Sequence, residues 1–466
     1  MEYLLLTIII SLWLFWLNAK KMRQQLLFRL LEKKLLSRQK SGAWYASDVV
    51  RDIAKKLDVL SKQKIIRILE EISESKYDEL KSYVSPVEVK SIKAMFLNKC
   101  PSLTVWQKAE KAVIDFEIDK VARILEKLQP KNRYEKAKFD YLSAIVALKE
   151  GDLQDASLLA TRAASSFKKL FYFYEEGCAY LLSGSVYRAC GSFDTAMLML
   201  QTAKNLFDEC RAFAKKAETA ATQGMLMVAE ERFEEAYDYF AEANSIYCKI
   251  QDSDGEASVL NQKALMKLLQ NRTEEANDLT REAMNILKKS KNIRLLALSY
   301  DLKAQISAKQ KKWKTVIKSA SDAEELYQKT KNIPAELEIM LLKAQALIEQ
   351  NKSQKAELLL RSLLEKAKQQ KTCFHIANVY SLLGLLYLRK KEYKRAEALF
   401  MQSLNSEVCN ERWAGAAIDC ANIALSKRKR GKCESAEQDY KQALQYAEES
   451  GNSELLELLK ETQSIN

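Results

Sequence analysis

From about residue 137 to the carboxyl end, the apolar residues of this chain recur at three and four rather than at two, as amphipathic helices require. A longer rhythm lies over the short one. At a spacing of 40 residues the chain aligns with itself as "GDLQDAS", "GSFDTAM", "ERFEEAY", "NRTEEAN", "KKWKTVI", "NKSQKAE", "KEYKRAE" and "GKCESAE". The sixth residues of these segments are Ala156, Ala196, Ala236, Ala276, Val316, Ala356, Ala396 and Ala436. Seven residues on come Ala163, Ala203, Ala243, Ala283, Ala323, Leu363, Ser403 and Ala443, and twelve before come Ala144, Gly184, Gly224, Ala264, Ala304, Ala344, Gly384 and Ala424. Antiparallel helices approach to about 8–10 Å only where the side chains at the crossing are small. The pattern therefore predicts helix pairs, with Phe193, Phe233, Trp313 and Tyr393 as wedges beside the second helix, and turns at Gly151, Gly191, Asn271, Asn351 and Gly431.

These small positions resemble those of the tetratricopeptide repeat, in a long-period form of 40 residues instead of the usual 34. The extra residues imply longer helices or longer connectors. A HEAT array shares a period near 40 but does not require three small positions. The expected fold is all-α: an α-solenoid of eight TPR-like repeats over 137–466 with a C-terminal capping helix, preceded by a divergent helical region over 41–136 that serves as capping repeats.

The first residues follow another pattern. Tyr3 to Leu17 carries no charge, and counted through Ala19 the segment reaches about 26 Å, the lower edge of a bilayer span. Lys20, Lys21, Arg23, Arg29, Lys33, Lys34, Arg38 and Lys40 follow it, against the single acid Glu32. A cleaved secretory signal has the opposite order of charge. The expectation is a single-pass transmembrane anchor at 1–19 and a basic juxtamembrane helix at 20–40 in contact with the lipid bilayer, the carboxyl domain facing the cytoplasm. That basic segment supplies much of the net charge of +13. Nine scattered cysteines without a CxxC pair suit reduced thiols in that compartment.

The resemblance implies that the first helices line a concave groove for a protein or peptide partner. Its groove positions fall on Tyr141, Lys149, Arg188, Asn261, Asp301, Gln305, Gln345, Asn378, Ser381, Arg389 and Arg428, with Leu181, Met225, Leu265, Leu341 and Leu385 between them. The carboxylate clamp of chaperone-binding members is missing, since position nine holds no Asn. Lys263, Lys303 and Lys343 share one phase and define a candidate basic stripe, open to acidic peptide or, less favoured, nucleic acid. "KRKRGK", from Lys427, reads as a solvated corner. His375 is the single histidine, and no P-loop, strand-linked GxGxxG or metal-ligand cluster is present, which points away from an enzyme, a cofactor or a metal.

The expected function is a membrane-anchored scaffold or adaptor. The alternatives are an assembly or quality-control factor for membrane complexes or precursors, and a basic nucleic-acid-binding solenoid. The layout resembles bacterial lipopolysaccharide-assembly repeat proteins and mitochondrial import receptors, but the paired cysteines of the former and the clamp of the latter are absent.

Overall fold

A computed structural model describes residues 118–369 and 372–465 and scattered positions from Trp106 to Val113. The expected anchor at 1–19, the basic helix at 20–40 and most of 41–136 lie outside the described residues. Among the described residues no helix is long and apolar enough to cross a membrane.

Eighteen helices follow one another among the described residues. A short α1 (Ile118–Leu125) precedes three helix pairs, α2 (Arg133–Glu150) with α3 (Leu153–Lys169), α4 (Phe173–Ala189) with α5 (Phe193–Glu209) and α6 (Phe213–Ala229) with α7 (Phe233–Ile250), after which come α8 (Ser253–Leu269) and α9 (Thr273–Ser290). Four more pairs come next: α10 (Ile293–Lys309) with α11 (Trp313–Thr330), α12 (Ile333–Glu349) with α13 (Ser353–Gln369), α14 (Cys373–Arg389) with α15 (Tyr393–Cys409), and α16 (Trp413–Lys429) with α17 (Cys433–Glu449). The last helix is α18 (Ser453–Ile465).

The chain divides into two compact units. One runs through Gln270 and includes Asn285–Lys291; the other comprises Asn271–Met284 and everything from Asn292 onward. Within each unit the first helices of neighbouring repeats pack directly on one another, so they form the inner layer and the second helices the outer. In the first unit the core runs through Leu200, Phe207, Phe240 and Tyr247, with Trp106, Val121 and Leu142 closing its amino-terminal end. In the second it runs through Tyr327, Leu347, Leu360, Leu383 and Phe400.

The 40-residue period resolves into long helices, mostly of 17 residues, with short turns rather than long connectors. It also resolves into two equal halves. A residue with positive φ recurs every twenty positions: Gly151, Phe171, Gly191, Arg211, Glu231, Gln251, Asn271, Lys291, Lys311, Lys331, Asn351, then Lys391, Glu411, Gly431 and Gly451. The turn within a repeat and the turn between repeats are thus the same turn. In most of them the following residue does two jobs. Ser192 N–H donates to Tyr187 C=O (2.9 Å), closing α4, while Ser192 C=O accepts from Ala196 N–H (3.0 Å), opening α5. Lys312 repeats the pattern with Ser307 (2.8 Å) and Val316 (3.1 Å). Helix ends are satisfied by backbone alone, as in a Schellman cap. Asp152, Asp252, Asn292 and Asn332 add a side-chain bond to the N–H three residues on.

The small positions sit at the helix crossings. Ala156, Ala196, Ala236, Ala276, Val316, Ala356, Ala396 and Ala436 are all buried. Phe193, Phe233, Trp313 and Tyr393 are half-buried beside them. Volume is matched within each pair. A Cβ on Gly184 would lie 2.6 Å from Leu200 Cγ, and one on Gly224 or Gly384 would lie 2.6 Å from Cε1 of Phe240 or Phe400. Where alanine replaces glycine, as at Ala144 and Ala304, the residue sixteen on is itself small: Ala160 and Ala320, both buried. Ala344 before Leu360 and Ala424 before Tyr440 are looser matches.

Two outcomes follow from this packing. Gly224→Ala loses about 1–3 kcal/mol in urea denaturation through overpacking, and adding Phe240→Leu restores part of the loss. Lys311→Gly gains about 0.5–1 kcal/mol by the same measurement, because an L-residue is strained in the left-handed region.

Candidate ligand-binding faces

The inner faces of the first helices are the places where a 40-residue repeat can present a column of side chains at one phase. Each unit has its own.

In the first unit, Tyr141 on α2, Cys178 on α4 and Lys215 and Glu218 on α6 form one electrostatic neighbourhood. Lys215 Nζ lies 2.7 Å from Glu218 Oε2. Burial lowers the affinity of Lys215 for its proton, but the Glu218 carboxylate beside it opposes this and favours the charged ammonium. Burial also pushes the Tyr141 phenol well above its usual range and the Cys178 thiol up to about 12. Cys178 is therefore a protonated, unreactive thiol at neutral pH. Arg188 is half-buried with its Nε enclosed and unpartnered, while Asn261 is half-buried farther along. Leu181 is buried, and Met225 and Leu265 are half-buried.

In the second unit the face is acidic at one end and apolar at the other. Asp301 on α10 accepts from Gln305 Nε2 (2.9 Å) and from Tyr327 OH (3.0 Å). Its carboxyl is raised by burial against those two bonds, and Glu338 on α12 is raised by burial and by the charge of Asp301. Gln305 and Gln345 are exposed, whereas Leu341, Asn378 and Leu385 are half-buried. Ser381 donates to Asp419 Oδ1 (2.7 Å), a carboxylate buried between α14 and α16. Burial lifts Asp419 to about 6 in spite of the Ser403 and Ser381 hydroxyls and the charge of Arg412.

Beyond these lies an open groove of about 710 Å³ between α16, α17 and α18. Ile418, Leu425, Tyr440, Leu455 and Leu458 give it an apolar lining, and Asn422, Arg428 and Glu437 provide its polar groups. Ile418 and Leu458 are 46% and 56% exposed, so the groove is open to solvent. Tyr440 OH donates to Leu459 C=O (2.6 Å) and ties α17 to α18.

The residues singled out from sequence thus fall into two sets. Tyr141, Arg188 and Asn261 belong to the first unit; Asp301, Gln305, Gln345, Asn378 and Arg389 belong to the second. Arg389 does not line the face. It donates to Ile348 C=O (2.9 Å) and pairs with Glu349, stapling α14 to the end of α12. The lysines of the candidate stripe are also divided. Lys263 lies over the Tyr237 ring (4.9 Å to its centroid) in the first unit, while Lys343 pairs with Glu324 (2.8 Å) in the second, where Lys303 is half-buried. In "KRKRGK", Lys427 pairs with Asp439 (2.6 Å) and Arg430 with Glu397. His375 is buried beside Arg412, which lies 4.4 Å over the Phe374 ring and pairs with Glu407 (2.6 Å). No group of side chains able to hold a metal ion occurs among the described residues. Glu338 and the groove residues Tyr440 and Leu458 were not singled out from sequence, although Glu338 sits at position two of its repeat.

No protein-family model and no curated protein sequence matches the chain. Solved structures do match. A Rap protein complexed with competence and sporulation factor is 14% identical with a TM-score of 0.50, over 75% of this chain and 99% of that one. Aspartyl phosphate phosphatase F from Bacillus subtilis is 12% identical with a TM-score of 0.48, over 76% and 97%. A tetratricopeptide repeat protein from Parabacteroides merdae is 15% identical with a TM-score of 0.38, over 63% and 98%. At 14% identity the likeness to that Rap protein is one of fold, and together with the helix pairs described above the fold is one of stacked helical repeats.

Asp419 gives a pH-dependent outcome. Its folded value of about 6 stands above the ordinary 3.8, so between about pH 4 and 6 the folded chain holds a proton that the unfolded chain releases. Stability therefore declines as pH rises through that window, leaving a buried carboxylate above it. Asp419→Asn is expected to exceed the natural chain in stability above pH 6, by on the order of 2 kcal/mol, with the gap closing toward pH 4 in denaturation measured across that range.

Proposed function

We propose that the protein is a scaffold that binds a protein or peptide partner on the first-helix face of its carboxyl-terminal repeats, and that residues 1–40 hold it at a membrane with those repeats on the cytoplasmic side. The observation that carries the binding reading is the solvent-open apolar groove over α16–α18, in a unit whose inner face also bears Asp301, raised by burial, and Glu338, raised by burial and by the charge of Asp301. An apolar side chain fits the first, and a lysine or arginine relieves the like-charge repulsion at the second. The Rap protein of the same fold is itself complexed with a factor, which supports a ligand-binding role for such repeats. The membrane reading rests on the uncharged run from Tyr3 to Leu17 and the eight basic residues after it.

The test is photocrosslinking of the full chain in cells, with Ile418→Glu and Leu458→Glu compared against Leu158→Glu, which is 62% exposed on the outer helix α3. All three sites are exposed, so folding is spared. Capture of partners is expected to fall about tenfold in the groove variants, in line with the loss of a buried apolar anchor, and to hold in the control. Equal capture by all three removes the groove from the reading. Alkaline carbonate releases the chain from membranes if residues 1–40 do not span them.

A further inference from the structure

The twenty-residue turn gives the second unit two edges built from the same local structure. Turns within repeats come to one edge and turns between repeats to the other. Their charge differs sharply. Residues 309–315, 349–355, 389–395 and 429–435, at the tips within repeats, carry net charges of +4, +1, +4 and +2, a total of +11. Residues 329–335, 369–375, 409–415 and 449–455, at the tips between repeats, carry +2, +1, 0 and −2, a total of +1. Among the described residues helix length, turn type and solvent contact are shared by both edges, so solubility alone gives no reason for the asymmetry.

The last three tips on the basic edge are bonded one to the next. Arg389 reaches Ile348 C=O and Glu349, Lys390 reaches Glu357 (2.7 Å), and Arg430 reaches Glu397. These contacts set those three tips side by side. They engage Arg389, Lys390 and Arg430 and leave other lysines. Lys311, Lys312, Lys314, Lys352, Lys355, Lys391, Lys394, Lys429 and Lys432 are all exposed and make no ion pair among the described residues. The helices end at this edge rather than run along it, so it offers no element to enter a nucleic-acid groove. Its aromatic residues, Trp313 and Tyr393, are half-buried wedges and not stacking platforms.

We propose that this lysine edge rests against an anionic lipid surface, orienting the repeats at the membrane. Point charges on flexible stems suit a diffuse array of headgroups, and turn tips standing in a row can meet a flat surface together. The inference rests on the reading that residues 1–40 place the chain at a bilayer, where such a surface is always within reach.

The experiment uses the full chain in vesicles carrying a nitroxide-headgroup quencher lipid, with a fluorescent amino acid in place of Gln354 on the basic edge or Asn410 on the opposite one. In vesicles of phosphatidylcholine with about one-third phosphatidylglycerol, quenching of about twofold is expected at 354 and little at 410, with little at either site in phosphatidylcholine alone. The difference is expected to vanish near 0.5 M NaCl, where screening is on the order of 4 Å. It is also expected to vanish in the chain carrying Lys311→Glu, Lys312→Glu, Lys391→Glu and Lys394→Glu, whose helicity is checked by circular dichroism. Equal quenching at both sites, or quenching at 354 that ignores lipid charge or the four substitutions, overturns the proposal. So does an edge that responds to added duplex DNA and not to anionic vesicles. Co-flotation that survives alkaline carbonate reports residues 1–40 independently, so failure of the anchor and failure of the edge are told apart.

Discussion

Most of the helices among the repeats are held to their neighbours by one backbone arrangement, in which a single residue closes the helix before it and opens the helix after it. At Ser192, Arg232, Lys312 and Glu392 the N–H bonds to the carbonyl five residues back while the C=O accepts from the N–H four residues on. Buried helix ends leave peptide groups that must find partners, and this turn supplies them without a linker. Because the turn leaves no slack, successive helices are forced into antiparallel contact, and the crossing then admits only small side chains. The alanines and glycines are thus answers to a constraint that the turn imposes.

Much of this was legible in the sequence because packing acts through side-chain size. The row from Ala144 to Ala424 and the row from Ala156 to Ala436 stand out as volumes, whatever their neighbours. The twenty-residue turn was not legible in the same way. Its left-handed residue is glycine at Gly151, Gly191, Gly431 and Gly451, but Phe171, Arg211, Lys311 and Glu411 occupy the same backbone state elsewhere. Backbone hydrogen bonds define the turn, and they leave little trace in side-chain chemistry.

The binding faces were legible as phases, but not as a division between free groups and groups engaged within the fold. Asp301 and Ser381 lie on first-helix positions that sequence can number, yet one is held by Gln305 and Tyr327 and the other by Asp419. Arg389 sits one phase from the face and spends its guanidinium on α12. For Ser381 and Arg389 such engagement depends on what a neighbouring repeat places about forty residues away, which no single repeat reveals. The apolar groove was hidden for a related reason: its walls come from α16, α17 and α18, and the last of these lies outside the eight aligned segments.

The pairing of glycine with a bulky side chain has a consequence for how such a chain grows. Gly184 with Leu200, Gly224 with Phe240 and Gly384 with Phe400 each lie sixteen residues apart inside one repeat. A duplication or deletion of whole 40-residue units never parts them, so lock and key are inherited as one piece. The array can be lengthened, shortened or recombined by unequal exchange without opening a void or forcing a clash at these crossings. What such an exchange does alter is the surface that each new neighbour presents.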